Sequence, residues 1–449
     1  MKNIPNFTNK KILVCGLAKS GVSVAQFLAG QNAQVTAQDT KPTITEETAA
    51  ALSHKNITLY LGKNPDEIIR NFDMVIISPG VPFDLPFLQQ ARQLNIPVWG
   101  ELELAYRFCP APIMAITGTN GKTTVTTLMG EILQRHNQKT VVAGNIGIPF
   151  TEYIGKLSPD NWVVLEVSSF QLETIHHFAP KISAILNITP DHLDRHKSME
   201  IYRYTKERIF ENQSEHDFVV LSYETFSAAQ PKCSTIFFSA KQPLKTGVFL
   251  ENGIITAKMP NNSEKLQILE ISKTKILPEN ALAATALALC VNVPVKIIAE
   301  TLQNFKGVPH RMEFVRQLNG VEFYNDSKAT NTDAAIKAIE PLTSPTILIA
   351  GGYDKKADFT EWVQHFGGKI KHLIVMGETA EQIIKTCQAN NYKQYSQAAS
   401  MADAVNLAHK KAQNGDIILL SPACASWDMF DNFEHRGDLF KELVANLKA

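Results

Sequence analysis

From Lys11 onward, short apolar runs rich in β-branched residues alternate with longer segments whose apolar positions recur at helical spacing. The runs Ile12–Cys15, Gln34–Gln38, Met74–Ser78, Ile113–Thr117, Trp162–Val167 and Ile182–Ile188 have the length and composition of strands. A turn-rich stretch over residues 215–275, with shorter strands, interrupts the rhythm. It resumes at Val321–Asn325, Thr346–Ala350, His372–Met376 and Asp416–Leu420. This alternation predicts an α/β fold of three units without a short-period repeat. The Pro-bearing segments Cys109–Pro112 and Gly307–Pro309 fall between blocks and predict boundaries near residues 100 and 307, giving units 1–100, 101–307 and 308–449.

Composition narrows the class. A chain of 449 residues is long enough for two or three packed units. Lys and Arg, 44 in all, balance 44 Asp and Glu, so no bulk field draws in nucleic-acid phosphates or anionic lipid. Any anionic ligand must be caught locally. With 44% hydrophobic and 20% charged residues the chain has ample core material, which excludes disorder and collagen-like repeats. The cysteines, Cys15, Cys109, Cys233, Cys290, Cys387 and Cys424, are scattered without a CxxC pair, so a reducing compartment is expected and neither disulfides nor structural zinc are. The polar Met1–Lys11 segment does not read as a signal peptide, and no stretch reaches the roughly 18 apolar residues of a membrane span. These features predict a cytoplasmic protein with no nucleic-acid partner and no membrane insertion.

The strongest chemical signal lies between residues 113 and 133. The apolar strand Ile113–Thr117 runs into Gly118-Thr119-Asn120-Gly121-Lys122-Thr123-Thr124 and then a helical pattern through Leu133. Glycines and a helix N-terminus expose backbone N–H groups to phosphate oxygens, Lys122 reaches the β- and γ-phosphates, and a Thr123 hydroxyl suits Mg²⁺. A strict pattern search would miss this loop, because Ile116 stands where the first glycine is usual. A merely Gly-rich helix start would not explain the Lys followed by two Thr.

Further candidates collect around that loop. The strand Trp162–Leu165 ends in Glu166, which places a carboxylate at the C-terminal sheet edge, where ligands gather and a Mg²⁺-coordinating acid belongs. The next strand leads to Asp191-His192, so His192 is expected beside Glu166 if the two strands are neighbours. His192, Asp194 and His196 as a separate zinc site have only alternate spacing in a polar loop to support them. Over Ser198–Asn212, Tyr202, Lys206 and Phe210 recur every four residues and share a helix face. Periodicity alone favours a Lys206 stem packed on the rings with its ammonium reaching water.

The motifs Thr117–Thr124, Gly144-Asn145-Ile146-Gly147, Leu165–Glu173 and Asp191-His192-Leu193-Asp194 resemble those of the Mur ligases of peptidoglycan synthesis, over nearly the whole chain. Asn325–Asn331, Gly351–Lys355, Ser421–Ser426, Phe433 and Arg436-Gly437 resemble the branch that adds D-glutamate to UDP-N-acetylmuramoyl-L-alanine. The resemblance implies a Rossmann-like N-terminal domain for the UDP substrate, a central P-loop ATPase-type domain and a Rossmann-like C-terminal domain for the amino acid. It implies ATP and Mg²⁺ as cofactors and a monomer. Lys122, Asn145, Glu166, His192 and Lys206 match catalytic positions, with Thr123, Glu166, His192 and Lys206 at the metal and Lys206 as a carbamylated lysine, which reverses the reading from periodicity. A bare ammonium would repel Mg²⁺, whereas burial beside Tyr202 and Phe210 favours the neutral amine that reacts with CO₂.

The same resemblance gives the outer units their roles. The turn Gly16-Leu17-Ala18-Lys19-Ser20-Gly21 has Ala18 in place of a middle glycine and alone is a weak dinucleotide signal. By resemblance, Lys19, Ser20, Asp39, Thr40, Lys41 and Ser78 contact the UDP substrate. Asn280, Arg311 and Asp326 match nucleotide positions beside Gly118, Thr119, Asn120, Gly121, Lys122, Thr123 and Thr124, and His310 lies with them. Family members usually carry Gly-x-His-Asn before the helix that holds Asn280, and here Leu277-Pro278-Glu279 leads straight in. Lys328, Thr330, Lys355, Ser426 and Phe433 match the D-glutamate side, where a dicarboxylate needs fixed cations and donors. On sequence alone Lys355 would read as a solvated loop lysine, and Cys424 reads as a packed thiol rather than a nucleophile.

The implied reaction is ATP-driven amide formation through an acyl phosphate, with domain closure bringing three ligands together. A sibling Mur ligase that adds another amino acid is the alternative. An NAD-dependent dehydrogenase would leave Lys122, Glu166 and Lys206 unexplained, and a non-catalytic P-loop switch would release no phosphate with any acceptor.

Overall fold

The computed structural model describes residues 4–145, 147–226, 228–260 and 264–448. Ile146 and the side chain of Asp194, quoted above, lie outside the described residues. The fold is α/β, with three sheets. The chain divides into two compact units, one running through Ile188 and again over Lys197–Phe305, the other comprising Thr189–His196 and the chain from Lys306 onward.

In the first unit, β1 (Lys11–Cys15), β2 (Gln34–Asp39), β3 (Ile57–Leu61), β4 (Met74–Ile77) and β5 (Val98–Gly100) form a sheet in the order β3-β2-β1-β4-β5. All its pairings are parallel. Apart from its first residue, β1 is buried throughout, which suits the central position. The same unit holds a second sheet: β6 (Ile113–Thr117), β7 (Lys139–Gly144), β8 (Asn161–Glu166), β9 (Ile182–Ile185), β10 (Phe218–Ser222), β11 (Ser234–Ser239), β12 (Gly247–Glu251), β13 (Ile254–Lys258) and β14 (Leu266–Glu270). Its order is β14-β13-β12-β11-β10-β9-β6-β8-β7. The strands ending at Glu166 and leading toward His192 are therefore not neighbours, because the wholly buried β6 lies between them. Strand order switches sense at β6 while the neighbouring strands stay parallel to it, and the crevice at the C-terminal ends of strands at such a switch is where ligands bind.

The turn-rich stretch supplies β10 to β14. Its last strands are antiparallel, and Asn252 (φ 51°) and Gly253 (φ 76°) close the hairpin between β12 and β13. Two positive φ values in a two-residue turn explain Asn-Gly there.

The helix Glu101–Phe108 serves both sheets of the first unit. Leu102 and Ala105 pack in the core of the second sheet with Ile113, Val163 and Leu165, while Leu104 packs with Ile12, Val14 and Val24 under the first. Phe108 meets the rings of Phe7 and Phe27 at 5.9 and 4.9 Å. Between them Glu103 is fully buried and accepts bonds from Arg107 Nε (2.7 Å) and from the N–H groups of His176, His177 and Phe178. Burial opposes its charge, but these donors hold the carboxyl below its ordinary range.

The second unit contains β15 (Glu313–Leu318), β16 (Val321–Asn325), β17 (Thr346–Ala350), β18 (Ile370–Val375), β19 (Tyr395–Gln397) and β20 (Ile417–Leu420), ordered β15-β16-β20-β17-β18-β19. Only β15 runs antiparallel, returned by the Asn319-Gly320 turn with φ values of 51° and 75°. Helices cover both faces, giving one core around Trp362 and Leu348 and another around Phe440 and Ile418. Among the described residues, no helix is long and apolar enough to cross a membrane.

Candidate active site

In the first sheet, the turn after β1 is closed by backbone proximity. Gly16 has φ 85°, and a Cβ on Gly21 would stand 1.8 Å from the Gly16 carbonyl oxygen, so Gly21 opens the helix Lys19–Gly30 only as glycine. Asp39, at the end of β2, accepts the Leu17 N–H (2.8 Å) and the Lys41 N–H (3.0 Å). Ser78, just after β4, donates to the Gly16 carbonyl at 2.7 Å. Thus Asp39 and Ser78 fix the loops that present Lys19, Ser20, Thr40 and Lys41, of which Lys19, Thr40 and Lys41 are exposed.

The phosphate-loop candidate follows β6 and opens the helix Lys122–Arg135. Gly121 is left-handed (φ 84°), and a Cβ there would come 2.3 Å from Asn280 Oδ1, so Asn280 borders the loop. Gly118 (φ 155°) passes so close to the chain after β9 that a Cβ would meet Leu186 Cβ at 3.1 Å. Lys122 Nζ donates to the carbonyls of Gly118 (2.9 Å) and Thr119 (2.8 Å). Thr123 is buried at the start of the helix, and the buried Thr124 Oγ1 finds no hydrogen-bond partner among the described residues. The N–H groups of that first turn have no intrahelical acceptor. A left-handed cradle, a lysine on its carbonyls and an orphaned buried hydroxyl fit a bound polyphosphate with its divalent cation.

Lys206 also reaches this loop. It is 1% exposed, its Nζ donates to the Gly118 carbonyl at 2.9 Å, and it lies 4.7 Å from the Tyr202 ring centroid. The ammonium therefore does not extend to water, and the snorkelling reading fails. Its helix ends at Glu207 and tightens into a 3₁₀ turn over Arg208–Phe210, so the four-residue spacing does not continue to Phe210 as one helical face. The Tyr202 hydroxyl lies 3.2 Å from Thr119 Oγ1. Glu166 is buried at the end of β8, where its Oε1 accepts the Asn145 amide at 2.8 Å and its carbonyl accepts the Asn145 N–H at 2.9 Å. A Cβ on Gly144 would lie 2.4 Å from that carbonyl, which explains the glycine before Asn145.

In the second unit, His192 is left-handed (φ 54°), and its N–H bonds the Asp191 carboxylate at 3.0 Å. Asp191 also accepts from Asn331 Nδ2 at 3.1 Å and pairs with Lys355 Nζ at 3.5 Å. Lys355 is only 13% exposed and so is not a solvated loop lysine. Asp326 is fully enclosed and accepts the Ser421 hydroxyl (2.9 Å) and the Met312 N–H (3.2 Å). Burial pushes its carboxyl up to about 6, against the pull of Arg311. His310 is buried beside Asn325 (3.0 Å), and that burial lowers its pKa. Lys328 Nζ stands 4.9 Å from the Phe433 ring, Thr330 follows on the same loop with its N–H on the Lys328 carbonyl (2.9 Å), and Ser426 is 2% exposed. Burial pushes the Cys424 thiol up to about 12, the behaviour of a packed residue.

Two organising residues have roles that the sequence did not assign, although Arg436 stands in one of the resembling motifs. Arg436, 0% exposed near the start of the helix Phe433–Asn446, bonds Ser327 Oγ (3.0 Å), Ser327 O (2.8 Å), Cys424 O (3.1 Å) and Ala425 O (3.1 Å). It ties together the loops that carry Lys328, Thr330 and Ser426. Ala425 O also accepts the Tyr353 N–H (3.0 Å), two residues before Lys355. The other is Asn187, whose side chain meets the backbone of Asn120. An Arg inside an apolar-spaced helix was a visible signal for the first; only the fold reveals the second.

The chain matches three family descriptions: the MurD-like N-terminal domain of Mur ligases over residues 10–100, the Mur ligase middle domain over 116–288, and the Mur ligase glutamate ligase domain over 310–424. It is 48% identical to the UDP-N-acetylmuramoylalanine--D-glutamate ligase of Alkaliphilus metalliredigens (strain QYMF), across 98% of this chain and 99% of that one. The protein of the same name from Thermoanaerobacter sp. (strain X514) is 47% identical over the same shares. Among solved structures, the UDP-N-acetylmuramate-alanine ligase MurC of Thermotoga maritima shares the fold at TM-score 0.62 and 18% identity, covering 98% of this chain and 100% of its own. MurF ligase of the same organism, in complex with ADP, aligns at TM-score 0.59 and 14% identity, covering 100% of this chain and 98% of its own. Relatives this similar from end to end, with a domain description matched in each third of the sequence, establish that the chain belongs to the Mur ligases, in their MurD-like branch.

Proposed function

We propose that the protein joins D-glutamate to UDP-N-acetylmuramoyl-L-alanine at the expense of ATP, a step in peptidoglycan precursor synthesis. The observation that carries the reading is the 48% identity, over 98% of the chain, to a ligase of that name. The local chemistry supports it: a glycine cradle with two lysines on the Gly118 carbonyl suits a polyphosphate, and a loop cluster carrying Lys328, Lys355 and Ser426 suits a dicarboxylate. In this reading residues 1–100 hold the UDP substrate, 101–307 the ATP, and 308–449 the amino acid.

The L-alanyl carboxylate attacks the γ-phosphorus and ADP leaves. The D-glutamate nitrogen then attacks the acyl carbon, phosphate departs, and the nitrogen loses a proton as the amide forms. Lys122 turns from the loop carbonyls to the phosphate oxygens and neutralises their developing charge. Asn145 orients the Glu166 carboxylate and offers a donor to the acceptor carboxylate. Thr123, Glu166, His192 and a carbamylated Lys206 would hold Mg²⁺. When bound, that ion supplies further neutralisation of phosphoryl charge. Asn280, Arg311 and Asp326 serve the nucleotide, while Thr330 and Phe433 flank the amino acid. Lys19, Ser20, Asp39, Thr40, Lys41 and Ser78 serve the UDP moiety. The protein acts as a cytoplasmic monomer, without nucleic-acid or membrane partners.

Phosphate release measured with ATP, UDP-N-acetylmuramoyl-L-alanine and a panel of amino acids tests the reading. D-Glutamate alone should stimulate release. Equal stimulation by L-lysine or meso-diaminopimelate would transfer the chain to a sibling activity, and release with no amino acid would refute ligation.

A further inference from the structure

The ladder between β6 and β9 does not stop where the strands end. Leu186 N–H bonds the Thr117 carbonyl and Thr119 N–H bonds the Asn187 carbonyl, both at 3.0 Å, so the first half of the phosphate loop remains paired with the segment after β9. At the next position the partner is a side chain. Asn187 Oδ1 accepts the Asn120 N–H at 2.8 Å, and Asn187 Nδ2 donates to the Asn120 carbonyl at 3.1 Å. A carboxamide has the same donor and acceptor as a peptide unit. Here it makes both bonds that a further backbone rung would make.

Two consequences follow for the loop. The N–H groups of Thr119 and Asn120 are occupied internally, so the phosphate donors begin at Gly121 and continue into the first helical turn. The peptides on either side of Asn120 are held just before Gly121, where the chain enters its left-handed conformation at φ 84°. Without the carboxamide, this segment keeps the Thr119 bond but loses the two bonds that Asn187 makes to the Asn120 backbone. The donors beyond it would then have to be ordered when nucleotide binds.

We propose that Asn187 is a positioning residue for nucleotide binding, a surrogate peptide rung that pre-organises Gly121 and the first-turn N–H groups for phosphate. This rests on the nucleotide reading of the loop. The carboxamide of Asn187 is committed to the Asn120 backbone, and it acts through Asn120.

Equilibrium titration of the full chain with ADP and Mg²⁺, and separately with UDP-N-acetylmuramoyl-L-alanine, tests the assignment in wild type, Asn187→Ala and Asn187→Gln. Asn187→Ala should bind ADP about tenfold or more weakly, the scale of two lost hydrogen bonds. Its affinity for the UDP substrate should stay within about twofold. Asn187→Gln, with the amide on a longer stem, should recover part of the loss. ADP affinity within about twofold of wild type in Asn187→Ala, or equal weakening of both ligands, overturns the proposal. A wild-type chain that binds no ADP overturns the nucleotide reading beneath it instead. If Asn187→Ala does not fold, the Asn120 amide of the wild type decides: slow hydrogen exchange in NMR supports the clamp, and exchange at the rate of an unprotected amide refutes it.

Discussion

Arg436→Met replaces a fully buried guanidinium with an apolar chain of similar reach. Four acceptors lose their donor: Ser327 Oγ, Ser327 O, Cys424 O and Ala425 O. Ala425 O keeps the Tyr353 N–H and the Ser327 hydroxyl keeps its bond to the Phe433 carbonyl, so two carbonyls, Ser327 O and Cys424 O, lose this donor in a region from which solvent is excluded. At about 1 to 3 kcal/mol for each unsatisfied buried group, the gross loss is about 2 to 6 kcal/mol. Against it stands relief from burying a cation, since burial draws the Arg436 pKa well below its ordinary value, to about 10, equivalent to about 3 kcal/mol. The midpoint of these opposing effects is a net destabilisation of about 1 kcal/mol. Urea unfolding followed by tryptophan fluorescence measures this, with Trp362, buried, and Trp427, 60% exposed, in the second unit and Trp99 and Trp162 in the first. A gain in stability in Arg436→Met would show that the loops hold their positions without the guanidinium.

Lys355→Ala should raise the KM for D-glutamate at least tenfold and leave that for ATP within about twofold, as initial-rate kinetics would show; equal effects would remove Lys355 from the amino-acid side. For Asp326 the folded pKa of about 6 lies above the ordinary 3.8, so its contribution to stability is full below 3.8 and is lost as pH rises through 6. Relative to wild type, Asp326→Asn should therefore gain stability between pH 4 and pH 7, by up to about 3 kcal/mol, and a flat difference in urea midpoints would contradict the burial argument. Intact-protein mass spectrometry under CO₂ should show a carbamate-sized addition trapped at Lys206. Lys206→Ala should be inactive and regain part of its rate with a small added carboxylic acid; full activity without it would return Lys206 to a packing role.

Much of the fold was legible because its central strands are continuously apolar: Ile12–Cys15, Ile113–Thr117 and Thr346–Ala350 each read as strands and are buried in place. What escaped was at the margins. Ile57–Leu61 is an edge strand with exposed positions, and Tyr395–Gln397 is a three-residue polar edge. The hairpins at Asn252-Gly253 and Asn319-Gly320 carried a direct turn signal that apolar periodicity does not register. The phosphate loop was readable because its chemistry is contiguous. The neighbour condition linking Glu166 and His192 failed because strand order is not written locally, and β6 occupies the slot between β8 and β9. Asn187 lies 67 positions from Asn120, and nothing in an isolated Asn announces which backbone it will mimic.

The helix Glu101–Phe108 bears on how this chain can be made and cut. Its Leu104 and Phe108 complete the apolar interior under the first sheet, while Leu102 and Ala105 belong to the sheet that follows. During synthesis the amino-terminal sheet thus cannot seal its interior when β5 emerges; it waits for about one further helix to clear the ribosome. A fragment ending at Gly100 would leave the pocket for Leu104 open and expose Phe7 and Phe27. One extended beyond Phe108 would carry Leu102 and Ala105 uncovered. Exchange of amino-terminal segments between relatives should succeed only when this helix and both of its contact surfaces travel from the same parent.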